Sequence, residues 1–243
     1  MGRILPDPGD DSRQSHASYE CLGCLETESA WQSSNPSGGS TAGTSHRRAV
    51  RQFDAVPTTG KDTMIDIPRL QKLLLKVPHP PEDRLPEGAS DDECNAFVKR
   101  TGIRLPCDMA NWLKLANGPC VGPGGLYGIQ PARSHLNIEA YLEMFPSFMT
   151  NKWLPVAGDG CGNIYVIPTQ QDFGDGFPVV FVDTSSSHVT PSYIVASDIA
   201  HFLVAILECE LGVQGWPFNE KHVLQSDPQI RKFSGVALPW ESD

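Results

Sequence analysis

Residues 153–167, WLPVAGDGCGNIYVI, limit the fold more than any other stretch of the chain. Residues 153–157 and 164–167 are two runs rich in β-branched and aromatic side chains, and GDGCGN joins them. That pattern predicts a β-hairpin in which Gly160 and Gly162 take positive φ, a region that a β-carbon resists. The same six residues could in principle carry chemistry, so each chemical reading has to be tested against spacing. A nucleophile elbow needs small residues two positions either side of the nucleophile, but around Cys161 these are Asp159 and Asn163. An EF-hand loop starting at Asp159 would put Cys161 at a ligand position, Ile164 at the obligatory glycine and Gln170 at the final glutamate. Both readings fail. A nest of backbone N–H groups for an anion stays open on geometry alone.

The segments that follow extend the hairpin. PVVFVD and SYIVA are short apolar runs separated by the polar stretches QQDFGDGF and TSSSHVTP, which predicts further strands in an antiparallel meander. Ser197 is then expected to cap a helix that places Ile199, Phe202, Leu203, Ile206 and Leu207 on one face, with Gly212 ending it. His188, after three serines, invites a Ser/His hydrolase reading, but no third group is visible to hold it as a base. His201 reads as an ordinary helix residue.

Upstream the period is helical. Asp66 can cap a helix carrying Ile67, Leu70, Leu74 and Val77 on one face, with Pro78 as its stop. Ser90 and Glu93 form a capping box for a second helix running to about Gly102. Pro106 opens a third, with Met109, Trp112, Leu113 and Ala116 inward and Asn117-Gly118 as a left-handed ending. GPCVGPGG reads as a turn delivering a short strand, LYGI, and lacks the lysine and Ser/Thr of a phosphate loop. Asn137 can cap a short helix holding Tyr141, Leu142 and Phe145.

Composition matters most at the N-terminus. Residues 1–62 are rich in Ser, Gly and Thr without a sustained apolar period, so they are expected to be a disordered tail, with residues 63–243 as one domain. An upstream choice of start codon is a second reading of that tail, because Met64 stands just before the first convincing helix. The Cys21/Cys24 pair has zinc-knuckle spacing but no second pair of ligands, so no metal is expected there. Seven cysteines at scattered positions suit free thiols in a reducing cytoplasm, and no run of about 18 apolar residues marks a membrane span. The formal charge of −10 repels phosphate backbones and anionic lipid, so neither nucleic acid nor membrane is an expected partner.

In order, these pieces resemble the SUKH superfamily, the Smi-one/Knr-four type domain. The resemblance covers residues 85–129 and 153–211. It rests on Leu105-Pro106, the helix end Leu115-Ala116-Asn117-Gly118, Leu126-Tyr127-Gly128, and above all W-L-P-V-A-x-D-G-x-G-N from Trp153 to Asn163. PVVFVD and the segment around residues 196–207 are similar to the family's closing strand and helix, and FNEKHVLQSDPQI with LPWESD looks like an end seen on some bacterial members. The chain departs from the family pattern at Cys161, inside the glycine loop, and at Asp198-Ile199, where an aromatic residue often begins the last helix.

The resemblance implies an α+β fold whose mostly antiparallel central sheet is flanked by N-terminal helices and a C-terminal helix. Asn117, Gly118, Trp153, Pro155, Asp159, Gly160, Gly162 and Asn163 would be structural motif positions. It also implies a non-catalytic module without a cofactor: in bacteria an immunity protein that neutralises a toxin, often a nuclease, and in fungi a regulator of cell-wall synthesis and signalling. From Met64 onward 13 Lys and Arg face 21 Asp and Glu, about −8, which would attract a basic toxin domain. Asp172, Asp175, Asp183 and Asn163, on loops at one end of the sheet, are the expected partner-binding residues. A regulatory scaffold is the alternative function, and a small hydrolase around Cys161 or His188 the third.

Overall fold

The computed structural model describes residues 66–78, 85–170, 173–174, 176–187 and 189–241. Asp172, Asp175, His188, the Cys21/Cys24 pair and the whole of the expected tail lie outside the described residues.

Four strands, β1 (Trp153–Gly158), β2 (Ile164–Pro168), β3 (Val179–Val182) and β4 (Tyr193–Ala196), pair in sequence order as an antiparallel meander. Every residue of β1 and β2 is buried, because these uninterrupted apolar runs are covered on both faces. The register pairs Tyr165 with Phe181 and Phe181 with Tyr193, which lays three aromatic side chains across one face of β2, β3 and β4. Phe181 and Tyr193 stack with ring centres 4.9 Å apart, and Phe202 packs on Tyr165 at 5.1 Å.

Among the described residues, seven α-helices surround this sheet, so the fold is α+β as expected. The helix α1 (Ile67–Leu74) starts where the Asp66 side chain accepts the Arg69 N–H at 3.0 Å, and it buries Leu70 and Leu74. In α2 (Asp91–Thr101) the capping box forms in both directions, and Gly102 ends the helix at φ +63°. The third helix, α3 (Cys107–Leu115), turns Met109, Trp112 and Leu113 into the core. Next come α4 (Ile138–Met144), capped by Asn137, and α5 (Pro146–Asn151), which sequence periodicity misses because Phe148 is its one buried residue. The last two are α6 (Ile199–Glu210), with all five expected apolar residues buried, and α7 (Glu220–Ser226).

Three local expectations need correction. The N-cap of α6 is Asp198, whose carboxylate accepts the His201 N–H at 2.8 Å; Ser197, one residue earlier, donates its N–H elsewhere. The Asn117-Gly118 pair does not end α3 in a left-handed turn at once, because Ala116 leaves the helix extended at φ −154° and the positive φ falls on Gly118 at +75°. Nor is LYGI a strand. Leu126 and Gly128 form single bridges to Ala157 and Asn137, while the Tyr127 N–H takes the carbonyl of Val156 at 2.9 Å. Val156 is free to accept there because β1 bulges between Pro155 and Ala157, away from β2.

Candidate functional site

The glycine loop between β1 and β2 is built around one carboxylate. Asp159 Oδ1 accepts the N–H groups of Cys161 at 2.7 Å and Asn163 at 3.0 Å, and Oδ2 accepts from Asn163 Nδ2 at 2.7 Å. The Asp159 N–H closes the hairpin on the Asn163 carbonyl at 3.1 Å. Gly160 and Gly162 take φ of +78° and +100°, the conformations expected of them. A β-carbon on Gly160 would meet the Pro123 carbonyl oxygen at 2.7 Å, so this loop lies against the GPCVGPGG turn; a β-carbon on Gly162 would meet open space. The two glycines therefore serve different ends. One permits close approach and the other only a backbone angle.

Asn163 also reaches sideways. Its Oδ1 accepts the Thr184 N–H at 3.2 Å, and Thr184 Oγ1 donates to the Gly162 carbonyl at 3.0 Å. Thr184 belongs to the loop between β3 and β4, so two loops at one end of the sheet are tied into a single surface. Next to it, Asp183 Oδ1 accepts from the Ser185 hydroxyl at 2.7 Å and from the N–H groups of Ser185 and Ser186 at 2.9 and 3.3 Å. The Ser185 hydroxyl first, and then the other donors of Ser185 and Ser186, hold the Asp183 carboxyl below its usual range. Of the expected partner-binding set, Asn163 and Asp183 are thus brought together; Asp172 and Asp175 fall outside the described residues. Thr184 was missed by sequence reasoning, since only its spatial neighbour 22 residues earlier gives it a role.

The remaining motif positions pack rather than project. Trp153 and Pro155 are buried in β1. Asn117 is 8% exposed and pairs with the backbone of Ile129 through both ends of its amide. Tyr127 is buried and stacks on Tyr141 with ring centres 4.1 Å apart, and burial drives its hydroxyl far above its ordinary pKa.

Two groups with catalytic potential, Cys161 and the residues around His201, lie among the described residues. The Cys161 thiol is exposed on the glycine loop, and among the described residues no histidine is hydrogen-bonded to it. A Ser, a His and an Asp do meet at the start of α6. However, Ser197 Oγ at 3.3 Å and Asp198 Oδ1 at 2.9 Å both address the same ring nitrogen, His201 Nδ1. A proton relay needs the hydroxyl and the carboxylate on opposite nitrogens, so this trio is a helix cap with a bound imidazole. No group of three His, Cys, Asp or Glu among the described residues has the geometry to hold a metal ion. No helix of the described residues is long and apolar enough to cross a membrane.

Residues 88–205 match the family model described as SMI1 / KNR4 family (SUKH-1). The match opens just before the capping box of α2, takes in the sheet and the glycine loop, and closes within α6. No curated protein matches the chain.

Proposed function

We propose, on the premise that residues 88–205 are a domain of the SUKH superfamily, that this chain is a non-catalytic protein-binding module of the immunity type, which neutralises a basic toxin domain by direct binding. The observation that carries the reading is the family match itself. Two physical features support it. The loops that meet through Asn163 and Thr184 form a hydrogen-bonded surface at the end of the sheet, and such a surface binds without first having to order itself. The chain is acidic by 10 charges, so a cationic partner is steered towards it.

The test is kinetic. With a co-encoded toxin domain as partner, the triple variant D172N/D175N/D183N should associate several-fold more slowly than the parent, with a shallower salt dependence and only a small fall in melting temperature from the loss of the Asp183 charge that Ser185 and Ser186 favour. An unchanged rate and salt slope would move the interface to another face. A partner that is neither toxic nor encoded nearby would favour the regulatory role.

A further inference from the structure

A cavity of about 390 Å³ lies away from the glycine loop, between α1, the β4 to α6 junction, α6, and the segment that leads through Trp216 into α7. Its size is that of a site for a small organic ligand. Its wall mixes aliphatic side chains such as Val204 and Val213 with ionisable ones, and the state of those charges decides what can bind.

Two basic side chains of the wall, those of Arg69 and His201, are already engaged; His222 also lines it. Arg69 Nη2 pairs with Glu208 Oε1 at 2.9 Å, and His201 Nδ1 with Asp198 Oδ1 at 2.9 Å. Asp227 is different. This residue lines the cavity and is 4% exposed; its Oδ2 accepts the Ser197 N–H at 2.7 Å, while no donor among the described residues reaches Oδ1. A buried carboxylate oxygen without a donor is costly, and a charge-assisted N–H donor relieves that cost best. The apolar walls suit an alkyl stem behind such a donor.

We propose that this cavity is a binding site for a primary alkylammonium group, whose N–H groups donate to Asp227 Oδ1 once a turn of the carboxylate brings that atom, which is closed to solvent in this fold, to the cavity, while its aliphatic stem lies along the Val204 side of the wall. The site is separate from the loop surface, so it stands whether or not that surface binds a toxin. Two sources share the chemistry: a free small amine, and a lysine side chain of a bound protein.

The full chain would be titrated with n-butylammonium, n-butanol, butyrate, and a blocked peptide with one lysine among glycines, following amide and indole N–H resonances. The reporter is the Trp216 indole, which lines the cavity and donates to the Val195 carbonyl at 2.9 Å. The ammonium should bind with a dissociation constant on the order of 1–10 mM, as befits so small a ligand, and should shift that resonance. The alcohol and the butyrate should bind at least about tenfold more weakly. Binding by the peptide as well would point to a lysine side chain as source, and binding by the free amine alone to a small molecule. Asp227→Asn keeps an acceptor for Ser197 but loses the charge, and should weaken ammonium binding about tenfold. Equal binding of alcohol and ammonium to the parent chain would overturn the proposal without recourse to any variant, and so would a failure of both amine probes to bind.

Discussion

Asn117 grips the backbone of Ile129 from both sides: its Nδ2 donates to the Ile129 carbonyl at 2.8 Å, and its Oδ1 accepts the Ile129 N–H at 2.7 Å. The side chain acts as one rung of a β-ladder and ties the end of α3 to the segment that runs along β1. Gly118 must be glycine for the same reason, because a β-carbon there would stand 2.7 Å from Pro131 Cβ at a φ of +75°. Asn117→Ala leaves a buried N–H and a buried carbonyl without partners, so it should cost about 2–4 kcal/mol in urea unfolding. Asn117→Asp should be at least as damaging, since it loses the donor and buries a charge. A loss below about 0.5 kcal/mol for the alanine variant would show that water replaces the amide freely.

The two glycines of the hairpin loop should separate in a stability measurement. Gly162→Ala meets only the cost of a positive φ, about 1 kcal/mol. Gly160→Ala meets that cost and also the Pro123 carbonyl, so a loss of about 2–4 kcal/mol is expected. Cys161→Ser, on an exposed side chain whose loop contact runs through its N–H, should change stability by less than about 0.5 kcal/mol. Equal losses at the two glycines would mean that the loop can lift from the Pro123 turn.

Much of this arrangement is legible in the sequence, and the reasons differ by element. The apolar residues of α6 recur at strict helical spacing, so neither its existence nor its buried face is in doubt before the structure is seen. Its first residue is less clear, because Ser197 and Asp198 are both good caps and only the position of Asp227, which takes the Ser197 N–H, separates them. LYGI has the composition of a strand, yet the bulge in β1 offers it a single carbonyl, at Val156. The cavity is invisible to pattern reading, since its walls come from residues near 69, 196, 204, 216 and 227, and no local period links them.

The pairing of His201 with Asp198 should give stability a defined pH window. The Asp198 hydrogen bond raises the imidazole pKa above 6.5 against the opposing effect of burial, and the negative charge of Asp227 adds to the rise. For Asp198, burial alone would raise the carboxyl, but its hydrogen bond and charge attraction to His201 outweigh burial and hold it below 3.8. The raised histidine stabilises the fold fully below its unfolded value of about 6.5, and this is lost as pH climbs through the folded value. The lowered carboxyl contributes above its unfolded value of about 3.9, and this is lost as pH falls through the folded value. The advantage of the parent over His201→Gln should therefore be greatest near pH 5 and shrink by pH 8.5, as read by chemical unfolding at both. Glu210 and Cys209, whose pKa values burial raises, are common to both proteins and cancel in the difference. A difference that does not vary with pH would mean that the imidazole is held by packing alone.

The tie between the two loops can be measured directly, and it bears on the proposed binding surface. Asn163 holds Thr184 by its N–H, and Thr184 holds the glycine loop through its hydroxyl on Gly162, so each loop restrains the other. Asn163→Ala removes the amide bridge to Asp159 as well, and should cost about 1–2 kcal/mol; Thr184→Val removes one partly exposed hydroxyl contact, about 0.5–1 kcal/mol. Because both act on one network, the double variant should lose less than the sum, with a coupling of about 0.5–1 kcal/mol. Hydrogen exchange at the Thr184 amide should quicken in Asn163→Ala by the factor that this coupling implies, roughly two- to fivefold. If the surface binds as a preformed unit, either variant should slow association with the partner even though neither alters a charge, because the loops would then have to order during the encounter. Strict additivity in the cycle, within about 0.3 kcal/mol, would show that the loops are independent and that the surface is not organised through Asn163.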